Sequence, residues 1–155
     1  NPAGAHPSGL IGEMYGKSPS NIVPSLALAA NGDIPYFKVL GTSYNTPDGT
    51  GIRDYIHITD LANGHVMAIK KLYSQPNVYT YNLGTGRGCS VLETIKAFEK
   101  ASGREIPYKI EAARDGDIAE MYACSDKARE ELGWTAKYGI EDICRSAWNW
   151  HNKIH

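Results

Sequence analysis

Residues 48–65 read Asp-Gly-Thr-Gly-Ile-Arg-Asp-Tyr-Ile-His-Ile-Thr-Asp-Leu-Ala-Asn-Gly-His, a turn followed by a strand pattern and then a helix pattern. The stretch 52–58 alternates, with isoleucines on one face and Arg53 and Tyr55 on the other, which predicts one continuous strand. Apolar residues at helical spacing then predict a helix over residues 60–73. The side chains on its predicted inner side are Ala62, His65, Val66, Ile69, Leu72 and Tyr73.

Helical and strand-like stretches alternate on both sides of this segment, which predicts an α/β fold. Residues 1–20 and 41–51 are rich in turn-forming residues and are expected to be loops. A helix is expected to begin at Ser90, because Ser90 and Glu93 have capping-box spacing. The other predicted helices cover about residues 22–31, 125–132 and 140–151, and the other predicted strands cover residues 36–40, 78–83 and 106–111.

The composition is that of one globular domain, with 155 residues and 42% hydrophobic content. A net charge of -1 gives no support for binding nucleic acid or an acidic membrane. No apolar run approaches the roughly 20 residues that span a bilayer. Three cysteines without close pair spacing suit reduced thiols and a cytoplasmic location. The chain opens on Asn-Pro without a signal-peptide pattern, so we expect further sequence upstream.

Two features could bind an anion. Arg53 and Arg114 could hold a diphosphate through their guanidinium groups, and Asp117 could accept hydrogen bonds from sugar hydroxyls. The helix that follows Asn21 could bind phosphate at its N-terminus. Ordinary surface ion pairs and simple helix capping explain the same residues, so their pattern alone leaves both alternatives open.

Several other motifs point away from chemistry in this chain. Gly84-x-Gly86-x-Gly88 has its third glycine one position early for a dinucleotide-binding loop, which favours a plain turn without NAD. His151 and His155 have zinc-like spacing, but no third ligand suggests itself, so no metal site is predicted. The three tryptophans are expected in the core or in a contact between domains. No tyrosine has a lysine four residues later.

Four runs resemble UDP-galactose 4-epimerases, which are extended short-chain dehydrogenases. They are residues 1–9, residues 48–65, Tyr81–Gly86 and Arg114–Asp117. The resemblance covers essentially the whole chain, and the Asp-Gly-Thr-Gly start of the second run is specific to the epimerases. It implies the carboxy-terminal, substrate-binding portion of such an enzyme, with a Rossmann half upstream that carries the NAD-binding loop and a Tyr-x-x-x-Lys couple. No catalytic residue is therefore assigned here, and the isolated chain is expected to be inactive and to expose an apolar face.

The resemblance also implies which residues contact the UDP-sugar. Arg53, Arg114 and Asn1 match positions at the diphosphate, and Asp117 matches the ribose partner. The other matching positions are Asn21 and Ile22 at the helix start, Lys38 and Leu40 beside the uracil, the lining residues Tyr55 and Val91, and Met121 on the sugar side. Met is flexible, so acceptance of UDP-N-acetyl sugars stays open.

The whole protein is thus expected to interconvert UDP-galactose and UDP-glucose. It would do so by NAD-dependent oxidation and re-reduction at sugar C4, with residues 1–155 as the UDP-sugar-binding domain. A UDP-pentose or UDP-glucuronate 4-epimerase is a close alternative, and a non-catalytic UDP-sugar-binding module is a second one. The resemblance also implies a cytoplasmic homodimer.

Overall fold

The computed structural model describes residues 1–15 and 19–154 and contains short strands and five helices within those ranges. The strands are β1 (Pro2–Ala3), β2 (Phe37–Leu40), β3 (Ile52–Arg53), β4 (Ile56–His57), β5 (Cys89–Ser90), β6 (Tyr108–Glu111) and β7 (Glu120–Met121). The helices are α1 (Ile22–Asn31), α2 (Ile58–Ser74), α3 (Val91–Ser102), α4 (Asp126–Leu132) and α5 (Ile140–Ile154). The predicted α/β class is confirmed. None of the described helices has the length and apolar character needed to cross a membrane.

Three small sheets connect the helices. Strand β2 pairs with β6 in parallel, and β1 pairs with β4 in parallel. Strand β3 lies between antiparallel β5 and parallel β7. These pairings bring together residues that are distant in sequence. Strand β3, within residues 48–65, lies next to the segments near residues 90 and 120.

Two apolar clusters hold these elements together. The larger one packs α1, α3 and α5 against β2, with Leu26, Val39, Phe98 and Ile143 fully buried. The smaller one surrounds Trp134 and ties β4 to α4. Complete burial of such side chains contributes roughly 1.5–3 kcal/mol each, so the larger cluster stabilises the frame on which the cavity described below is built.

The strand predicted over residues 52–58 is divided in the structure, which corrects the sequence prediction. Strands β3 and β4 belong to different sheets, and Asp54 and Tyr55 lie between them. The alternation fails because all four residues from Asp54 to His57 are buried. The chain leaves one sheet and enters another within two residues, so both faces of the segment are covered.

The predicted inner stripe of α2 is also wrong for this structure. Val66, Ile69 and Tyr73 are exposed, and the buried residues of the helix are Asp60 and Gly64. A Cβ atom on Gly64 would lie 2.5 Å from Leu83 Cδ1, so the helix packs closely through its glycine. The apolar stripe points away from the described chain, and it provides the exposed apolar face that the sequence analysis expected.

Two other expectations differ from the structure. The predicted strand over residues 78–83 is an extended segment without a ladder partner among the described residues, and Val78 is exposed. The loop predicted for residues 1–20 contains the short strand β1.

The remaining elements agree with the prediction to within a few residues. Ser90 forms the predicted capping box, with Ser90 Oγ accepting from the Glu93 amide at 3.0 Å. Helix α1 ends where the predicted helix over residues 22–31 ends, at Gly32, which has the left-handed φ of 83° that glycine adopts readily.

Candidate functional site

A cavity of about 1410 Å³ opens between the start of α1, the strand β2 and the segment around Arg53. Of the eleven predicted ligand-contacting residues, all but Met121 line it. These are Asn1, Asn21, Ile22, Lys38, Leu40, Arg53, Tyr55, Val91, Arg114 and Asp117. Met121 lies in β7 beside Arg53, is half exposed and is not among the lining residues. The fold therefore collects residues from the whole length of the chain around one space.

The two predicted arginines converge on a single carboxylate at the cavity wall. Arg114 Nε lies 2.9 Å from Asp117 Oδ2, and Arg53 Nη2 lies 3.6 Å from Asp117 Oδ1. Arg53 is further held by the carbonyl of Ile52, which accepts from Nη1 at 2.8 Å. The side chain of Arg53 is 18% exposed and that of Arg114 is 64% exposed. Two cations and one anion leave a net positive charge here, as an anion site requires.

The N-terminus of α1 forms another part of the wall. Asn21 occupies the N-cap position, but its side chain does not cap the helix, because Asn21 Nδ2 donates to Glu13 Oε1 at 3.0 Å. The first turn contains no acidic residue, and Ile22, Val23 and Pro24 all line the cavity. The positive end of the helix dipole thus faces the same space as the arginines.

Asp54 is the buried centre that holds this wall in place. Its carboxylate accepts from the Thr85 amide at 3.0 Å, the Thr85 hydroxyl at 2.6 Å, the Gly86 amide at 3.0 Å and the Ala123 amide at 3.2 Å. Its backbone carbonyl accepts from Asn1 Nδ2 at 3.2 Å. The carboxylate and the backbone carbonyl of this one residue therefore join the glycine loop, the segment after β7 and the chain start beside Arg53.

This arrangement also explains the glycine loop. A Cβ atom on Gly84 would lie 2.5 Å from Asp54 Oδ2, so only glycine allows the carboxylate to approach. The amides of Thr85 and Gly86 donate to Asp54 and that of Arg87 donates to the Thr85 hydroxyl, so these three donors are occupied within the protein. A dinucleotide-binding loop offers its amides to the pyrophosphate of NAD, whereas three amides of this loop are occupied and its third glycine is one position early. This loop therefore does not fit NAD.

Asp48 connects the signature turn to α3. Asp48 Oδ1 accepts from the amide and hydroxyl of Thr50 at 2.9 and 2.7 Å, and Asp48 Oδ2 accepts from Ser90 Oγ at 2.5 Å. Burial raises the pKa of Asp48, but the hydrogen bonds from Ser90 and Thr50 outweigh it and hold that pKa below its ordinary value. The Asp-Gly-Thr-Gly turn is thus fastened to the cap of a helix next to the cavity.

His57 fastens the chain start to α5 on another side. His57 Nδ1 accepts from the Thr59 amide at 3.1 Å, and His57 Nε2 lies 3.1 Å from Ser146 Oγ. Ser146 Oγ in turn accepts from the Ala5 amide at 3.1 Å. Burial lowers the pKa of His57, so the ring is neutral near pH 7. Because Nδ1 accepts the hydrogen bond from Thr59, the proton of the neutral ring is on Nε2.

This buried histidine predicts a pH dependence of stability. Since its pKa is lowered in the folded protein, the unfolded chain binds the proton first as pH falls below the ordinary value of about 6.5. The free energy of unfolding should therefore decrease from that pH down through the lowered folded pKa. Urea unfolding at pH 7 and pH 5 should show a smaller pH-dependent loss for His57→Gln than for the unchanged protein. The exposed His65→Gln is the control, and equal losses for both variants would contradict the assignment.

Two tyrosines on the cavity wall are poor candidates for proton transfer. Burial raises the pKa of Tyr55 to about 12, and burial together with Asp33 and Glu13 raises the pKa of Tyr15 to about 12. A tyrosine that acts as a general base needs a pKa near the working pH. No role in proton transfer is therefore assigned to Tyr15 or Tyr55.

Lys38 and Val91 are two further predicted positions, and the histidine pair with zinc-like spacing is a separate feature. Lys38 Nζ pairs with Glu111 Oε1 at 3.1 Å, and both side chains are substantially exposed. Val91 is partly buried against the larger cluster. His155, the second residue of the zinc-like spacing, lies outside the described residues, whereas His151 is buried beside Tyr15 and Trp148.

A family model described as GDP-mannose 4,6 dehydratase matches residues 6–147. The chain belongs to this family. Within it, curated relatives at about half identity over nearly the whole chain are UDP-glucose 4-epimerases, so the resemblance to the epimerases is confirmed. UDP-glucose 4-epimerase 3 of Oryza sativa subsp. japonica is 54% identical over 155 residues, which cover 99% of this chain and 42% of that protein.

Solved structures show the same relationship. The UDP-glucose 4-epimerase of Bifidobacterium longum in complex with NAD+ and UDP is 52% identical, with a TM-score of 0.93, and the match covers 99% of this chain and 45% of that one. The enzyme of Stenotrophomonas maltophila with bound NAD and formylated UDP-arabinopyranose is 48% identical, with a TM-score of 0.97 and coverage of 99% and 46%. The chain therefore spans less than half the length of these family members and corresponds to their carboxy-terminal part.

Sequence reasoning missed several residues of the cavity wall. Asp54 falls on the isoleucine face of the predicted strand, and an acidic residue within such a face is itself a signal of a buried, hydrogen-bonded carboxylate. Glu13, Tyr15 and Trp150 also line the cavity. They reach it through the packing of residues 6–15 along α5, for which the sequence contains no local signal.

Proposed function

We propose that the intact protein is a UDP-glucose 4-epimerase, which interconverts UDP-galactose and UDP-glucose. In this proposal residues 1–155 form its UDP-sugar-binding domain. The observation that supports it most directly is the convergence of Arg53 and Arg114 on Asp117 in the wall of a large cavity. A diphosphate carries the charge that two guanidinium groups bind best, and the open start of α1 adds backbone donors on the same side.

This arrangement divides the ligand into a held part and a mobile part. Arg53, Arg114 and the start of α1 anchor the diphosphate, and Asp117 accepts from the ribose hydroxyls in place of one arginine contact. The strand positions Lys38 and Leu40 flank the uracil. A 4-keto hexose must turn over between oxidation and reduction, so the affinity has to come from the unreacting UDP.

NAD is proposed as the cofactor of the intact enzyme and supplies the hydride chemistry when bound. Family members have been solved with NAD. The glycine loop at residues 84–88 does not fit it, so its binding loop is assigned to a part of the intact enzyme outside residues 1–155. We also propose a cytoplasmic homodimer with a role in galactose metabolism, on the basis of the family relationship and of three cysteines that are all free thiols.

The test is an assay of the intact enzyme with UDP-galactose, in which formation of UDP-glucose is followed by a coupled dehydrogenase. We expect turnover by the intact enzyme and none by residues 1–155 alone, even with added NAD. Turnover by the isolated 155-residue chain would refute the assignment of the chemistry to another part of the protein. Binding of UDP-galactose by the intact protein without any turnover would favour a non-catalytic binding module.

A second candidate function is a UDP-pentose 4-epimerase. The observation that favours it is the family member from Stenotrophomonas maltophila, which was solved with formylated UDP-arabinopyranose. Parallel assays with UDP-galactose and UDP-xylose separate the two candidates. A kcat/KM for UDP-xylose that exceeds the value for UDP-galactose would support the pentose enzyme.

A further inference from the structure

Within residues 1–15 and 19–154, the side-chain hydroxyls of Tyr44 and Thr59 are buried without a hydrogen-bond partner in the protein. Both residues line the cavity that contains the arginine pair. Buried polar groups in proteins are nearly always hydrogen-bonded, because an unsatisfied one costs stability. Two such groups on residues of one cavity wall are consistent with a hydrogen-bond partner that comes from a bound ligand.

Tyr44 is the better placed of the two for contact with a nucleotide. Its amide donates to Gly49 O at 3.0 Å, and its carbonyl accepts from the Thr46 amide at 2.8 Å, so its backbone is fixed. Its ring packs at the ends of β2 and β6, where a Cβ atom on Gly41 would lie 2.9 Å from Tyr44 Cε2 and 2.8 Å from Ala113 Cβ. Arg114 is the residue that follows Ala113 in the chain.

The ring thus lies beside Gly41, which follows Leu40 in the chain, and Ala113, which precedes Arg114, comes close to the same glycine. Leu40 belongs to the wall proposed for the uracil, Arg114 belongs to the proposed diphosphate anchor, and both residues line one cavity together with Tyr44. Ligand cavities typically combine apolar walls with a few fixed polar groups, among them tyrosine hydroxyls. A fixed, buried and unpaired hydroxyl in this position has the properties of such a group.

We propose that the Tyr44 hydroxyl hydrogen-bonds to the bound nucleoside diphosphate and is a further binding residue of this site. The proposal rests on the proposed function, because it takes UDP as the ligand. Tyr44 adds a hydroxyl contact to the wall that also contains Arg114 and helps to select a nucleotide that fills this cavity.

The test uses Tyr44→Phe in the intact enzyme, with UDP as the probe in calorimetry and urea unfolding without ligand as the second measurement. Loss of one hydrogen bond should raise the Kd for UDP about fivefold to tenfold. The stability of the ligand-free protein should not fall, because the removed hydroxyl has no protein partner. Tyr108→Phe is the matched control, since Tyr108 lies on β6, is 46% exposed and is not among the lining residues.

The two measurements separate a ligand contact from a structural one. Weaker UDP binding with unchanged or increased stability supports the proposal. An unchanged Kd overturns it, and so does a fall in stability, which would reveal a structural hydrogen bond of the hydroxyl. If the unchanged enzyme does not bind UDP, both this proposal and the proposed function fail, whereas failure of Tyr44 alone leaves UDP binding by the unchanged enzyme intact.

Discussion

Replacing Arg53 by alanine in the intact enzyme is expected to weaken UDP binding by about 1.5–3 kcal/mol, the usual contribution of a hydrogen bond to a charged group. This corresponds to a rise in Kd of roughly 10-fold to 150-fold. Arg114→Ala should have an effect within the same range but closer to its lower limit. Arg114 is 64% exposed and Arg53 is 18% exposed, so water and salt screen the charge of Arg114 more strongly.

Calorimetric titration with UDP and with uridine checks this expectation. Uridine lacks the diphosphate, so its affinity should change much less than that of UDP in both variants. Arg129→Ala is the control, because Arg129 is 56% exposed and pairs with Asp126 at the same spacing as Arg114 and Asp117. If UDP affinity is unchanged in Arg53→Ala and Arg114→Ala, the diphosphate is bound elsewhere and the proposed site is wrong.

Replacing Asp54 by alanine should lower the free energy of unfolding by about 3–4 kcal/mol, because three amides lose their acceptor at roughly 1 kcal/mol each and the Thr85 hydroxyl loses one of its two acceptors. The amides of Thr85, Gly86 and Ala123 have no other acceptor among the described hydrogen bonds, whereas the Thr85 hydroxyl also donates to the Arg87 carbonyl at 3.0 Å. Asp54→Asn keeps one acceptor oxygen, so its loss should be about half as large.

Urea unfolding of the variants measures these losses directly. Asp115→Ala is the control, since Asp115 is exposed and a surface substitution of this kind normally changes stability by about 0.5 kcal/mol or less. A loss below about 1 kcal/mol in Asp54→Ala would show that solvent readily replaces the carboxylate, and the central role of Asp54 would then be wrong.

Much of the fold could be predicted because its signals are local. The capping box at Ser90 and the glycine stop at Gly32 depend on residues within one helical turn, and both are present in the structure. The strand over residues 52–58 was mispredicted, because alternation indicates a strand only where one face is covered. Here the chain passes from one sheet to another and both faces are buried. The inner side of α2 was mispredicted because Gly64 determines the close contact and the apolar stripe does not.

The sequence by itself determined the α/β class, the epimerase relationship and the residue types that bind an anion, because these depend on local spacing and on a continuous signature. Only the tertiary structure decided that Arg53 and Arg114, 61 positions apart in the chain, converge on Asp117. It also decided that Asp54 accepts from three separate segments and that Tyr44 lies with an unpaired hydroxyl at the cavity. The physical reason is that hydrogen bonds and burial depend on distances in space, and these are set only when the strands pair and the helices pack.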